Sequence, residues 1–248
     1  MAKGMGPHQP KPGWPTRWPK QALQLALASP GGLLIMLTSI IVAAAARGAL
    51  VDLGLNSFGR HMMQAFLGAA LLPALILTVN QIMRADGRGA IPLSEILELS
   101  RRMAPAALAT LGAMCFLSWL LPDPPRGAAG GGSDLSRFLG GGISVWVLVE
   151  MICCMLNPFW LGSSTALKLG FNEALTAHNM MIMRVRAAWL TAVIAIIWVS
   201  GPLIRLPVEI VIPLLYFRIC WQYVAAREVM GGIDDNGIEE RSAAPSYA

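Results

Sequence analysis

The chain has 248 residues, 55% of them hydrophobic and only 13% charged, with a mean hydropathy of +0.57. A soluble domain carries about a quarter charged residues, so this chain lacks the polar surface to face water on all sides, and lipid must cover much of it. The net charge of +5 does not indicate a nucleic-acid binder, because the basic residues are scattered at the ends of apolar runs instead of forming a phosphate-binding stripe.

Residues Met1 to Lys20 contain Pro7, Pro10, Pro12, Pro15 and Pro19 without apolar periodicity, which predicts an extended or disordered tail. Trp14 and Trp18 beside Arg17 and Lys20 suit a headgroup layer. Gln21 to Ser29 reads as a short interfacial helix, and Ser29-Pro30 as the start of the first span. Six apolar runs follow, each near the length that crosses ~30 Å of hydrocarbon at ~1.5 Å per residue. They are Gly31–Val51, Met62–Met83, Ala104–Leu121, Phe138–Gly162, Ala187–Ile204 and Leu206–Ala226. Arg47 leaves the outer end of the first loosely defined. Ala44-Ala45-Ala46 after Leu33–Val42 has the look of a signal-peptidase site, but the tail before it is too long and proline-rich, and the segment is expected to stay. The loop Pro122–Arg137, with three prolines and Gly130-Gly131-Gly132, predicts a flexible external connection. After Arg227 come five acids against one arginine, predicting a disordered acidic tail.

The expected fold is therefore all-α, a polytopic transmembrane helix bundle of about six spans. Its parts are a proline-rich tail and interfacial segment over 1–29, a membrane domain over 30–227 and an acidic tail over 228–248. Fourteen of the 19 lysines and arginines fall on one side: Lys3, Lys11, Arg17 and Lys20; Arg84, Arg88, Arg101 and Arg102; Lys168, Arg184 and Arg186; Arg218, Arg227 and Arg241. Arg47, Arg60, Arg126, Arg137 and Arg205 fall on the other. The positive-inside rule then puts both termini in the cytoplasm.

Two internal segments look alike. Pro92-Leu93-Ser94-Glu95-Ile96-Leu97 precedes Arg101 and Arg102, and Gly170-Phe171-Asn172-Glu173-Ala174-Leu175 precedes Arg184 and Arg186. Each has a capping-type residue and an acid in a first turn, where the helix dipole favours negative charge, and reads as a short amphipathic elbow between two spans. The second elbow, with Tyr223-Val224-Ala225-Ala226-Arg227-Glu228-Val229 after the last span, resembles six-helix bacterial inner-membrane families of the YciC and glycerophosphodiesterase-membrane-domain type. The resemblance covers the second half of the chain. It implies an integral fold in a bacterial cytoplasmic (inner) membrane and carries no catalytic residue across.

Glu150, near the middle of the fourth span, is the most informative polar residue, since an ionised acid there costs several kcal/mol unless paired or wetted. Arg218 matches it in depth, both groups lying ~18 Å from the outer ends of Phe138–Gly162 and Leu206–Ala226. Either the two form a buried pair fixing spans four and six, or Glu150 is protonated and Arg218 snorkels to the inner headgroups. Arg205 and Glu209, four apart, suit an interfacial anchor on one helix face. Asn80 and Gln81 near the end of span two, and Asn157 before Pro158, are expected to bond between helices.

The remaining polar groups suggest no reaction centre. Met151-Ile152-Cys153-Cys154-Met155 holds soft sulfur ligands suited to Cu(I), but neighbours on a helix point ~100° apart, and packing is the better reading. Cys115, Cys153, Cys154 and Cys220 all lie in apolar runs, as buried thiols. His8, His61 and His178 are dispersed, the Gly130 run lacks the lysine and hydroxyl of a phosphate loop, and Asp234-Asp235-Asn236-Gly237 lacks calcium-loop spacing. Ala70 with Ala74 and Ala109 with Ala113 offer close helix contact. No catalytic, cofactor or metal residue is expected. The reading is a non-enzymatic accessory or scaffold subunit of a membrane assembly (secretion, conjugation or envelope). Its partners would be the bilayer and other membrane subunits or a second copy, with no nucleic acid. The alternative is a small transporter or channel with Glu150 in its path.

Overall fold

The computed structural model describes residues 10–52, 57–87, 90–101, 104, 108, 112 and 208–229. Among these the regular structure is entirely helical: α1 (Trp14–Ala28), α2 (Pro30–Asp52), α3 (Ser57–Ala70), α4 (Leu72–Ala85) and α5 (Val208–Val229), with a helical stretch over 93–101. Two helices, over Pro30–Ala49 and Glu209–Val229, are long and apolar enough to cross a membrane. They coincide with the first and sixth expected spans.

The second expected span is divided. Leu71 separates α3 from α4, although Leu71 N–H still bonds Leu67 O at 3.2 Å and Leu75 N–H bonds Leu71 O at 3.0 Å. The cause is Pro73, which has no N–H to give to the carbonyl four residues back. α3 and α4 are thus 14 residues each where an uninterrupted Met62–Met83 helix was expected.

The N-terminal region also departs from expectation. The extended tail ends before Trp14, because Gly13, at φ 79°, turns the chain into α1 and leaves its carbonyl facing the Thr16 and Arg17 amides. A left-handed φ suits glycine alone among common residues without strain. Pro15 falls in the first turn, where its missing N–H costs nothing. Trp18, expected among headgroups, is fully buried, and Trp14 packs on it at 4.6 Å between ring centroids.

α1 packs along α5, and α2 along α4. Arg17 meets Glu228 while Ser29 meets Tyr216, so α1 and α5 run antiparallel. The core gathers Trp18, Ala22 and Leu25 of α1, Met36 and Ile40 of α2, Leu75, Ile76 and Val79 of α4, and Leu215, Ile219 and Tyr223 of α5. The apolar stretch of α5 is 61% buried and that of α2 only 33%, which makes α5 central and α2 peripheral. Leu34, Thr38, Ile41, Val42 and Ala45 form one exposed, almost wholly apolar stripe on α2. Ala70 is exposed and Ala74 half-buried. Ala109 and Ala113 lie outside the described side chains.

Candidate functional site

The polar side chains converge where α1 begins and α4 and α5 end. Asp86 caps α4, its N–H bonding Ile82 O at 3.0 Å, and Gly87 turns away at φ 75°. The Asp86 carboxylate accepts from Arg227 Nη1 at 2.7 and 2.9 Å and from the Tyr223 hydroxyl at 2.9 Å. Tyr223 and Arg227 stand one helical turn apart on α5, so a single face presents both to the end of α4. Arg227 Nη2 reaches Gln21 Oε1 of α1 at 3.4 Å.

One residue on, Glu228 accepts from Arg17 Nη2 at 2.5 Å, from Trp18 Nε1 at 2.9 Å and from the Lys11 amide at 2.5 Å. Asp86 and Glu228 side chains are 13% and 15% exposed. Both carboxylates sit at helix C-termini, where the backbone dipole disfavours negative charge. Their placement is intelligible only through the guanidinium groups beside them.

A second polar group lies further along the α1–α5 contact. Ser29 Oγ is 2.5 Å from Leu25 O, and the Tyr216 hydroxyl is 2.6 Å from both Ser29 Oγ and Ser29 O. Gly32 lets this happen, since a Cβ there would run into the Tyr216 hydroxyl and lie 3.1 Å from its ring carbons. In a third place Asn80 takes the Ile91 N–H on Oδ1 at 2.8 Å and gives Nδ2 to Ile91 O at 3.1 Å. Asn80 therefore ties α4 to the loop that follows it, not to another helix. That loop leads into the first expected elbow, helical over 93–101, with Ile96 and Leu99 buried and Leu93 and Leu97 exposed.

Of the residues singled out by sequence, Arg218 is 1% exposed on α5, buried in protein. Glu150, Asn157 and Arg205 lie outside the described residues, and Glu209 stands exposed in the first turn of α5. Cys220 is a buried free thiol as expected; Cys115, Cys153 and Cys154 lie outside. Among the described residues no three His, Cys, Asp or Glu side chains are placed to share a metal ion. Sequence reasoning read Arg17 as a headgroup and topology charge, Tyr223, Arg227 and Glu228 as part of a family resemblance and Glu228 as the start of the acidic tail, and passed over Asp86; it paired none of them. The available signal was an acid at each helix C-terminus, Asp86 just past α4 and Glu228 in the last turn of α5, a position that asks for a cation.

Comparisons with protein-family models, with curated proteins and with solved structures give no match for this chain. The resemblance drawn from the second elbow and the Tyr223–Val229 segment rests on those residues alone.

Proposed function

We propose that this is an integral protein of a bacterial cytoplasmic membrane that acts as a non-enzymatic accessory or scaffold subunit of a membrane assembly. The observation that carries this reading is the use made of charge: Asp86, Arg227, Arg17 and Glu228 each tie one helix end to another. With these ionic groups holding helix ends together, the exposed stripe of α2, almost wholly apolar, is left for contact through helices. The clasp also brings the start of α1 and the end of α5 to one end of the bundle. That supports an even number of crossings, with both termini on one side, as the basic residues suggest.

The test is extraction of the tagged protein from native membranes in mild detergent, followed by identification of what co-purifies. Stoichiometric membrane partners are expected; a lone species recovered at every detergent concentration overturns the scaffold reading. A second reading, a small transporter with Glu150 in its path, is favoured by the burial of Arg218 within an apolar helix. Labelling of engineered cysteines flanking Glu150 by a water-soluble reagent supports it, and uniform protection removes it.

A further inference from the structure

We infer that α1 is the inner-leaflet portion of the first membrane crossing, with its outward face against lipid acyl chains and Lys20 at the phosphates. The inference rests on the membrane reading above. Its first support is orientation. Arg17 pairs with Glu228 and Ser29 with Tyr216, so twelve residues of α1 run beside twelve of α5, ~18 Å of parallel axes. α1 thus stands along a helix that is apolar enough to cross a membrane, rather than lying flat as an interfacial segment would.

The second support is the way polarity changes over its free face. A helix lying in the membrane plane separates polar from apolar residues around its circumference. On α1 the outward face changes along its length. Thr16 and Lys20 come first, then Leu23 at 53% exposure and Leu27 at 77%, with Gln24 exposed beside Leu23. The same face leads directly to the exposed stripe of α2, where Leu34 is 63% and Val42 55% exposed. Lys20 to Arg47 spans ~40 Å of helix, the thickness of a bilayer with its headgroups. Lys20 can extend its ammonium to the phosphates, and Gln24 lies a turn deeper, within reach of the same layer.

The third support is the bend at Ser29, which has non-helical angles of φ −122° and ψ 57°. Pro30 has no N–H for the Ala26 carbonyl. A break inside a bilayer is tolerated where hydroxyl side chains re-satisfy the freed backbone. Here Ser29 Oγ donates to Leu25 O, and the Tyr216 hydroxyl and the Gly32 N–H donate to Ser29 O, so the carbonyls on either side of the break have partners within the protein.

The experiment places nitroxide labels on the full-length protein in phospholipid vesicles. The variants are Thr16→Cys, Leu23→Cys, Leu27→Cys, Leu34→Cys and Ile41→Cys, with the four native cysteines replaced by alanine. Collision with oxygen is compared with collision with a water-soluble nickel chelate. Positions 23 and 27 are expected to match 34 and 41, with oxygen dominant, while 16 favours nickel. If 34 and 41 report lipid but 23 and 27 report water, or neither probe, the inference is overturned and the membrane reading stands. If 34 and 41 themselves report water, the membrane reading falls and takes the inference with it. Should the cysteine-free chain not fold, benzoylphenylalanine at the same positions of the native chain, crosslinked by light to lipid tails, gives the same decision.

Discussion

Asp86 offers the sharpest test of the clasp. Its carboxylate accepts three bonds, two from Arg227 and one from Tyr223, and the two charged side chains are 13% and 21% exposed. Removing one partner of a well-buried ion pair costs about 3–5 kcal/mol, because the other charge stays desolvated and unpaired. The residual exposure here lets water reach the orphan, so Asp86→Ala should lose about 2–3 kcal/mol. Arg227→Ala should cost a similar amount for a different reason: it strands an anion at the C-terminus of α4, against the helix dipole. In that background Asp86→Ala removes a liability, and the double variant should be no less stable than Arg227→Ala alone. Reversible unfolding in mixed micelles, titrated with a denaturing detergent, gives the four free energies of the cycle. Those costs imply a coupling of at least about 2–3 kcal/mol, at the upper end of what contacting residues show. Additivity within about 0.5 kcal/mol would show that the pair does not hold the helix ends, and the reasoning would fail.

Glu228→Gln keeps an acceptor for only one of Trp18 Nε1 and the Lys11 amide, which bond different carboxylate oxygens, and removes the charge facing Arg17; the same titration should read about 1–3 kcal/mol. Gly32→Ala should destabilise by about 1–3 kcal/mol through overpacking, since the new methyl meets the Tyr216 ring. Because the hydroxyl is the nearest atom, Tyr216→Phe should recover part of that loss, and a double variant no better than Gly32→Ala alone would contradict the assigned clash. Asn80→Ala orphans the Ile91 N–H and C=O together and should cost about 1–3 kcal/mol. Faster hydrogen exchange confined to the segment around Ile91 would verify it, and unchanged protection there would refute it.

The helical class and two helices long and apolar enough to cross a membrane were legible because hydrophobic runs near 20 residues need no tertiary information to read. Pro73 was visible in the second run, yet an apolar stretch alone does not tell a kinked crossing from a straight one. α1 was misread because five prolines before Lys20 suggest an extended chain, while Pro15 falls at a helix start, where proline is welcome. Trp18 carried two meanings, interfacial anchor and core aromatic, and only its Glu228 partner 210 residues away decides between them. The same distance hid the clasp: Arg17 and Arg227 counted as topological charges, and nothing local in the sequence names a partner. Asp86 and Glu228 were readable only as acids at unfavourable ends.

The clasp also has a history written into the order of synthesis. Arg17 and its carboxylate partner are 211 residues apart, so α1 must wait for α5 before the two charges meet. Until α5 emerges, Trp18 and Arg17 lack this partner, and the contact can form only after the whole intervening chain has been made. Closure of the clasp is thereby a report of completion. A chain that stops short of Glu228 leaves the Arg17 guanidinium without a carboxylate and the Trp18 indole uncovered, the kind of feature by which a protease tells an unfinished protein from a finished one.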